Sequence, residues 1–594
     1  MRVPRQFSLP LLAKELTEQS ARRRTFYVRA AYAALLYGVT LWGFYRQIGH
    51  LESGSFAMLG TGHILFEQVL SFQMFAVFAL LPMLTAGVLT SEKERDTLGL
   101  LLITRLGPWT IVLEKFLSRV IPMLLYLLLS LPLMSVAYSL GGVESGAVLG
   151  AAALLVGTVL HIGSIGVFAS AYCRTTTQAL VLTYFVFALY GGAAMLLAIP
   201  QVFAARPQGT VGWTVYLSFF AMAGLLPALF WLLLARLCLW RRAFLQPKNW
   251  WLNLLKRLDG VFHRLNQNSL TQGIVLLDER VELPKFQPIA WRETMKRSLG
   301  TVRYLVRFLI LVEGPLLFVL LLALSDHTVW ASRENWAIRF SSYAVWWVTV
   351  FAVLSHSTAL IAGERSRQSL DVLLSTPLSA ERIVTEKFAG VQRLIMVLWV
   401  PLITVFLFQA WWLASIQNPW QSFNGSAFFA QAVGAAIVYP PLLGWLGLHA
   451  SLRFKSQVTA MTAALGVTLV LGGLPWAMDW MGVFRPGSGL GEAWTSIATI
   501  VLPATGPNVS AWDSADRTFL TTGGRRIAYA GTARALLPLL LLMHFGLYAA
   551  IWQWLRWLAP RQFIRQTGRC EQTEWPEPVA IHGLRDKVSM GGGV

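Results

Sequence analysis

Along this chain long apolar runs alternate with short polar segments, and the lengths of the runs set the first expectation. A helix that crosses the hydrocarbon of a bilayer needs about 20 apolar residues at 1.5 Å rise each. Twelve runs qualify. In the first half they cover about 30–46, 64–90, 118–140, 147–173, 178–200 and 212–240. In the second they cover about 304–324, 341–363, 391–415, 427–452, 457–479 and 533–558. The pattern predicts an all-α polytopic membrane protein with 12 transmembrane helices.

The polar segments are not alike. The stretch Glu92 to Phe116, EKERDTLGLLLITRLGPWTIVLEKF, returns 272 residues later as ERSRQSLDVLLSTPLSAERIVTEKF, Glu364 to Phe388. Identical pairs include Glu92/Glu364, Leu98/Leu370, Leu101/Leu373, Leu102/Leu374, Thr104/Thr376, Leu106/Leu378, Ile111/Ile383, Val112/Val384, Glu114/Glu386, Lys115/Lys387 and Phe116/Phe388. Lys93/Arg365, Arg95/Arg367 and Thr97/Ser369 keep their chemistry. Two fainter echoes flank these islands. Pro10, Lys14 and Glu15 answer Pro288, Arg292 and Glu293 at an offset of 278, and Gly166, Ala169 and Ser170 answer Gly447, Ala450 and Ser451 at 281. The chain is therefore an internal duplication. Six spans separate the two islands, an even number, so the halves are expected to be parallel repeats related by an axis along the membrane normal.

Composition supports a membrane chain. Of 594 residues, 55% are apolar and 13% charged, and the mean hydropathy is +0.55. The net charge of +20 does not point to nucleic acid, because Lys and Arg sit between apolar runs, where they orient the chain and meet anionic headgroups. With the N-terminus inside, most of the 49 Lys and Arg fall in inner segments, so both termini and both islands are expected in the cytoplasm. Cys173, Cys238 and Cys570 are widely spaced and suggest neither a disulfide framework nor a zinc site. The first residues lack the apolar core of a signal peptide.

These features divide the chain into a first six-helix half, 1–240, a connector, 241–287, a second half, 288–558, and a cytoplasmic tail, 559–594. In the connector, Trp250, Trp251, Leu254, Leu255, Leu258, Val261, Phe262 and Leu265 share one helical face, which reads as a helix lying on the inner leaflet or packed on cytoplasmic parts of the chain. The outer loop 481–532 is the one sizeable external segment.

Within each island, leucines at 98, 101 and 102, or 370, 373 and 374, form the apolar stripe of a short helix behind a charged turn. A break follows. Pro108 suits the first position of the next helix and Ser379 suits an N-cap. The break would hold a rigid amphipathic knob just below the membrane. Such a knob can receive a push from a soluble partner, or it can be an interfacial hairpin that merely caps a span.

Taken together, the acidic-basic cluster, the Leu-x-x-Leu-Leu stripe, the turn Thr376-Pro377-Leu378-Ser379 and the Ile-Val-x-x-Lys exit resemble the cytoplasmic loop of ABC-2 type permeases, the membrane subunits of ABC exporters. The first copy departs from the pattern at Arg105 and Gly107. The resemblance implies a fused pair of six-span permeases in a bacterial inner membrane. It also implies coupling to two ATPase subunits through Glu92, Leu98, Leu102, Thr104, Glu114, Lys115, Glu364, Leu370, Leu374, Thr376, Glu386 and Lys387. The sequence contains no G-x-x-x-x-G-K-[ST], so ATP and Mg are expected on the partner and no cofactor on this chain. A twelve-span secondary transporter is the alternative; it would carry ion-coupling charges near the midplane. Glu313, beside Gly314-Pro315, and Glu67 are the candidate intramembrane polar groups. A membrane-embedded enzyme would need convergent His, Asp or Glu, and no HExxH spacing occurs.

Overall fold

The computed structural model describes residues 9–21, 23–48, 60–94, 97–103, 106–196, 224–239, 287–294, 309, 312–321, 336–366, 368–415, 425–454, 456–480 and 526–568. Among these residues the secondary structure is helical. The first half contains α1 Pro10–Ala21, α2 Arg23–Ile48, α3 Gly62–Thr85, α4 Gly87–Glu94, α5 Leu98–Ile103, α6 Pro108–Leu128, α7 Leu131–Ser139, α8 Ser145–Tyr172 and α9 Thr176–Leu196, followed by α10 Gly224–Leu239. The second half contains α11 Pro288–Thr294, α12 Val312–Leu321, α13 Trp336–Ser366, α14 Leu370–Leu374, α15 Ala380–Ser415, α16 Gly425–Arg453, α17 Gln457–Trp480 and α18 Arg526–Thr567. Each expected apolar run overlaps one of these helices. Six stretches among the described residues are long and apolar enough to cross a membrane, and shorter apolar helices accompany them. This is an all-α polytopic membrane protein in two repeats. The connector helix at 250–265, the outer loop to residue 525 and Thr104 lie outside the described residues.

Each half buries its own core. In the first, Leu36, Leu65, Val77, Leu81, Met123 and Ile162 are sealed inside. In the second, Ile361, Val384, Phe406, Leu448 and Leu465 play that part. Large apolar side chains that no protein covers, such as Leu125, Leu149, Val400, Leu407 and Val470, form the outer face that a membrane-embedded helix presents to lipid tails.

The halves meet through α9. Tyr184 stacks on Phe351 of α13 with ring centroids 4.9 Å apart, and Ala179 and Leu180 join the core of the second half. A small cavity at this contact is lined by Thr176, Thr177, Val458 and Met461, so the N-termini of α9 and α17 lie side by side. Those two termini belong to the turns beside the two islands, which places both islands at one end of the bundle.

Candidate functional site

Each island folds as helix, short helix, helix. The first passes from α4 through α5 to α6, the second from the end of α13 through α14 to α15. Gly107 caps α6 in an extended conformation and Pro108 takes its first turn, where a missing N–H costs nothing. In the second copy the Arg382 N–H donates to Ser379 Oγ at 3.3 Å, the expected N-cap bond.

The turn that throws each knob outward is also shared. The Thr97 N–H donates to Glu92 O at 2.9 Å and the Ser369 N–H to Glu364 O at 3.0 Å, a closing bond of the Schellman type. The side-chain hydroxyls of Thr97 and Ser369 donate to the carboxylates of Glu92 and Glu364. Gln368 occupies the left-handed position in the second turn, at φ 57°.

Below each knob a lysine sits between two carboxylates. Lys387 Nζ is 3.0 Å from Glu293 and 2.8 Å from Glu364. Its counterpart Lys115 pairs with Glu15 and lies 3.2 Å from Glu92. Arg119 adds a further contact to Glu15 at 3.5 Å. The second triad is the drier one: Lys387 is 1% exposed, whereas the Glu92 side chain keeps 28% of its surface.

Glu15 and Glu293 come from α1 and α11, the segments found in the sequence only as echoes. The carboxylates of the islands hold these helices in return. Glu114 Oε2 accepts the N–H groups of Leu11 and Leu12 at 2.8 and 3.0 Å, and Glu386 Oε2 accepts those of Ile289 and Ala290 at 3.0 and 3.3 Å. A carboxylate at a helix N-terminus satisfies orphan donors and complements the helix dipole.

The Gly-x-x-Ala-Ser echo does similar work from the next helix. Ser170 Oγ accepts the Leu89 and Thr90 N–H groups at 2.8 and 3.0 Å. Ser451 Oγ accepts those of Ile361 and Ala362 at 3.0 and 2.8 Å. In this way the hydroxyl ties the neighbouring helix to the segment just ahead of the knob. The glycine of each echo makes the approach possible. A Cβ on Gly166 would lie 1.9 Å from Thr85 Oγ1, and one on Gly447 2.0 Å from Ser357 Oγ. Finally, Lys93 donates to the carbonyls of Ser170 and Cys173, both at 2.9 Å, and Arg365 to that of Phe454 at 2.9 Å. Each cation closes the C-terminus of the neighbouring helix.

In the structure Glu92, Glu114, Lys115, Glu364, Glu386 and Lys387 all have partners inside the chain. Leu98 is buried, while Leu102, Leu370 and Leu374 are half-buried and pack on the cores of their own halves. Thr376 turns back and donates to Leu373 O at 2.6 Å. The helical period explains which face turns inward. The leucine stripe must face the membrane core to dock the short helix, which leaves the opposite face, Leu100 at 68% exposed, Ile103 at 81% and Val372 at 69%, as the apolar surface offered outward. In the sequence both faces of the short helix are apolar, and spacing alone does not say which one turns inward.

The two intramembrane candidates also separate. Glu67 is exposed on the outer face of α3, while its neighbour Gln68 is buried. Glu313 is half-buried on α12, with Oε2 covered and without a hydrogen bond. Buried polar pairs among the described residues of the bundles include others: the Tyr32 hydroxyl donates to Gln73 Oε1 at 2.6 Å, and the Ser342 hydroxyl to Gln409 Oε1 at 2.7 Å.

Fold and site thus define a class: a polytopic helical membrane protein built from two repeats, each carrying one clasped knob at the same end. The family model for ABC-2 family transporter proteins matches residues 14–247 and 269–483, one match in each half, and the chain belongs to that family. Permeases of this type generally work with ABC ATPase partners. A comparison with curated proteins finds no match.

Proposed function

We propose that this chain is the non-hydrolytic membrane part of an ATP-driven exporter, in which the knobs at Glu92 to Lys115 and Glu364 to Lys387 each seat on one of two ATPase subunits. The observation that supports this most directly is the pair of protruding short helices. Each is anchored by an ion triad and carries an exposed apolar tip. A tip that served only to cap a span would have no reason to be so firmly tied to two neighbouring helices. A push on α5 or α14 is passed through the triads to α1 and α11, and through Ser170 and Ser451 to α8 and α16. ATP and Mg then belong to the partner, because this sequence has no phosphate-cradling loop.

In this reading the knobs, both termini and the connector 241–287 face the cytoplasm of a bacterial cell. The inner membrane holds residues 1–240 and 288–558 as two permease halves, 559–594 forms a cytoplasmic tail, and the basic inner segments contact lipid headgroups.

The test changes the outward face and leaves the inward one alone. Leu100→Asp combined with Val372→Asp should release the ATPase on copurification, because each buried apolar side chain contributes about 1.5–3 kcal/mol at an interface. The same variant should retain the elution profile of the membrane part. Retention of an ATPase whose turnover is still stimulated by the double variant would overturn the coupling role. Failure of the wild type to bind any ATPase would favour the secondary transporter.

A further inference from the structure

The second half contains a groove that the coupling scheme does not use. Its volume is about 360 Å³, within the range of roughly 300–1,000 Å³ typical of small-ligand sites. Helix α15 lines it with Thr385, Phe388, Gln392, Met396 and Trp399, spaced as one helical face. From Thr385 to Trp399 that face extends about 21 Å along the axis. Helix α16 contributes Ile437 and Trp445, and α18 contributes Trp552 and Arg556.

The one charged group lies at one end of the groove. Thr385 stands near the start of α15, at the knob end. Arg556 lies at the same end, because His449, near the knob end of α16, makes contacts with Leu555 O at 2.8 Å and with Gln562. One turn further in, Trp445 stacks on Phe388 at 4.2 Å between ring centroids. Beyond Gln392 the wall is apolar, with Met396, Ile437 and Trp399, the last fixed by donating to Ala436 O at 2.9 Å. Arg556 is exposed and makes no ion pair with a described residue. The Trp552 Nε1 is buried without a hydrogen-bond partner. Met396 and Ile437, at the rim, are 51% and 48% exposed on the faces that meet lipid, so the groove opens toward the bilayer rather than toward water.

The first half lacks these side chains. At the positions of Thr385, Gln392, Trp399 and Trp445 the repeat places Leu113, Val120, Leu127 and Ser164. The arginine near the knob end of its last helix, Arg236, lies over the Trp109 ring at 5.0 Å and is thereby occupied.

We propose that the groove between α15, α16 and α18 is a binding site for one anionic phospholipid from the leaflet on the knob side. Arg556, with Gln392 and Thr385, receives the phosphate, and the aromatic walls receive an acyl chain. The charge at the knob end, the apolar walls and the lipid-facing mouth together select this occupant over a soluble anion, which would have no use for the apolar walls.

Native mass spectrometry of the delipidated full chain, titrated with phosphatidylglycerol, phosphatidylcholine or inorganic phosphate, tests the assignment. The wild type should retain phosphatidylglycerol about tenfold better than phosphatidylcholine, as one charge-assisted contact allows, and millimolar phosphate should not displace it. Arg556→Gln should erase that preference, whereas Arg565→Gln, an exposed change on the same helix away from the groove, should preserve it. Ile437→Trp should fill the mouth and reduce both lipids. If Arg556→Gln does not fold, Gln392→Leu takes its place and should lower phosphatidylglycerol retention several-fold. Equal retention of the two lipids by the wild type would overturn the proposal. So would displacement by phosphate, an equal loss in Arg565→Gln, or undiminished binding in the groove variant that folds.

Discussion

Replacing Lys387 by methionine tests whether the triads hold the knobs. The change keeps most of the side chain's length and removes its charge, so Glu293 and Glu364 remain close together, with Glu293 1% exposed. Breaking a buried pair in this way costs about 3–5 kcal/mol, because the stranded charge keeps its desolvation penalty. Lys115→Met is the internal control. There Glu92 is wetter and Glu15 keeps Arg119 at 3.5 Å and the Ser118 hydroxyl at 2.6 Å. Its cost should fall between the figure of about 0–1 kcal/mol for exposed pairs and that for buried ones. The assay is the apparent thermal midpoint of each purified variant in one detergent, followed by tryptophan fluorescence. Lys387→Met should melt lowest, Lys115→Met between it and wild type. Adding Glu293→Gln and Glu364→Gln to Lys387→Met should restore more than half of the loss, since neutral groups of the same shape leave no uncompensated charge. A Lys387→Met midpoint equal to that of wild type, or above that of Lys115→Met, would refute the reasoning.

Three further outcomes follow from the same geometry. Gly166→Ala should destabilise more than Gly447→Ala, by about 1–3 kcal/mol of overpacking. At 166 the new carbon meets Thr85 Cβ at 2.6 Å, while at 447 it meets Ser357 Cβ at 3.0 Å and a hydroxyl that can rotate away; equal midpoints for the two variants would contradict this. Gln368→Gly should raise the midpoint by the equivalent of roughly 0.5–1 kcal/mol, because glycine enters the left-handed region without the Cβ penalty, and a lower midpoint would show that the Gln368 side chain holds the knob. Single cysteines at positions 100 and 372 should resist an impermeant thiol reagent added outside intact cells and react after lysis, while one at 515 reacts from outside; labelling of 100 or 372 from outside would invert the proposed orientation.

The membrane class and the duplication were plain in the pattern of runs, because hydrophobic length and repeated spacing survive divergence. The helix breaks were legible too. Pro108 and Ser379 start their helices for local reasons that depend on few neighbours. What the sequence concealed was direction. A stripe of leucines signals that one face is apolar and leaves open whether a partner or the protein's own bundle covers it. The structure turns Leu98 inward and leaves Leu100, Ile103 and Val372 outside. The charges misled in the same way. Glu114 and Glu386 look like surface groups until α1 and α11 are placed across from them, a contact between residues about a hundred positions apart. The signal that could have found Glu15, Glu293, Ser170 and Ser451 was present in the echoes at offsets of 278 and 281. Those echoes show duplication, and with the islands they make up the three pieces of one clasp.

The two halves keep that clasp and differ around it, which bears on how a fused permease can work. A symmetric pair would be free to respond equally to a push on either knob. Here the second triad is nearly dry and the first is partly wet. The first knob presents Leu100 and Ile103 where the second presents Val372, with Ser375 at the position matching Ile103. Because a desolvated ion cluster resists rearrangement more than a hydrated one, the second knob should be the stiffer lever. The first knob, with the larger apolar tip, should be the stronger grip. Fusion permits this division, because two copies in one chain can diverge independently whereas two copies of one shorter chain cannot. Leu100→Asp alone should therefore release more ATPase than Val372→Asp alone, and Lys387→Met should uncouple hydrolysis from transport more than Lys115→Met. Equal effects within each pair would mean that the halves act alike despite their different surroundings.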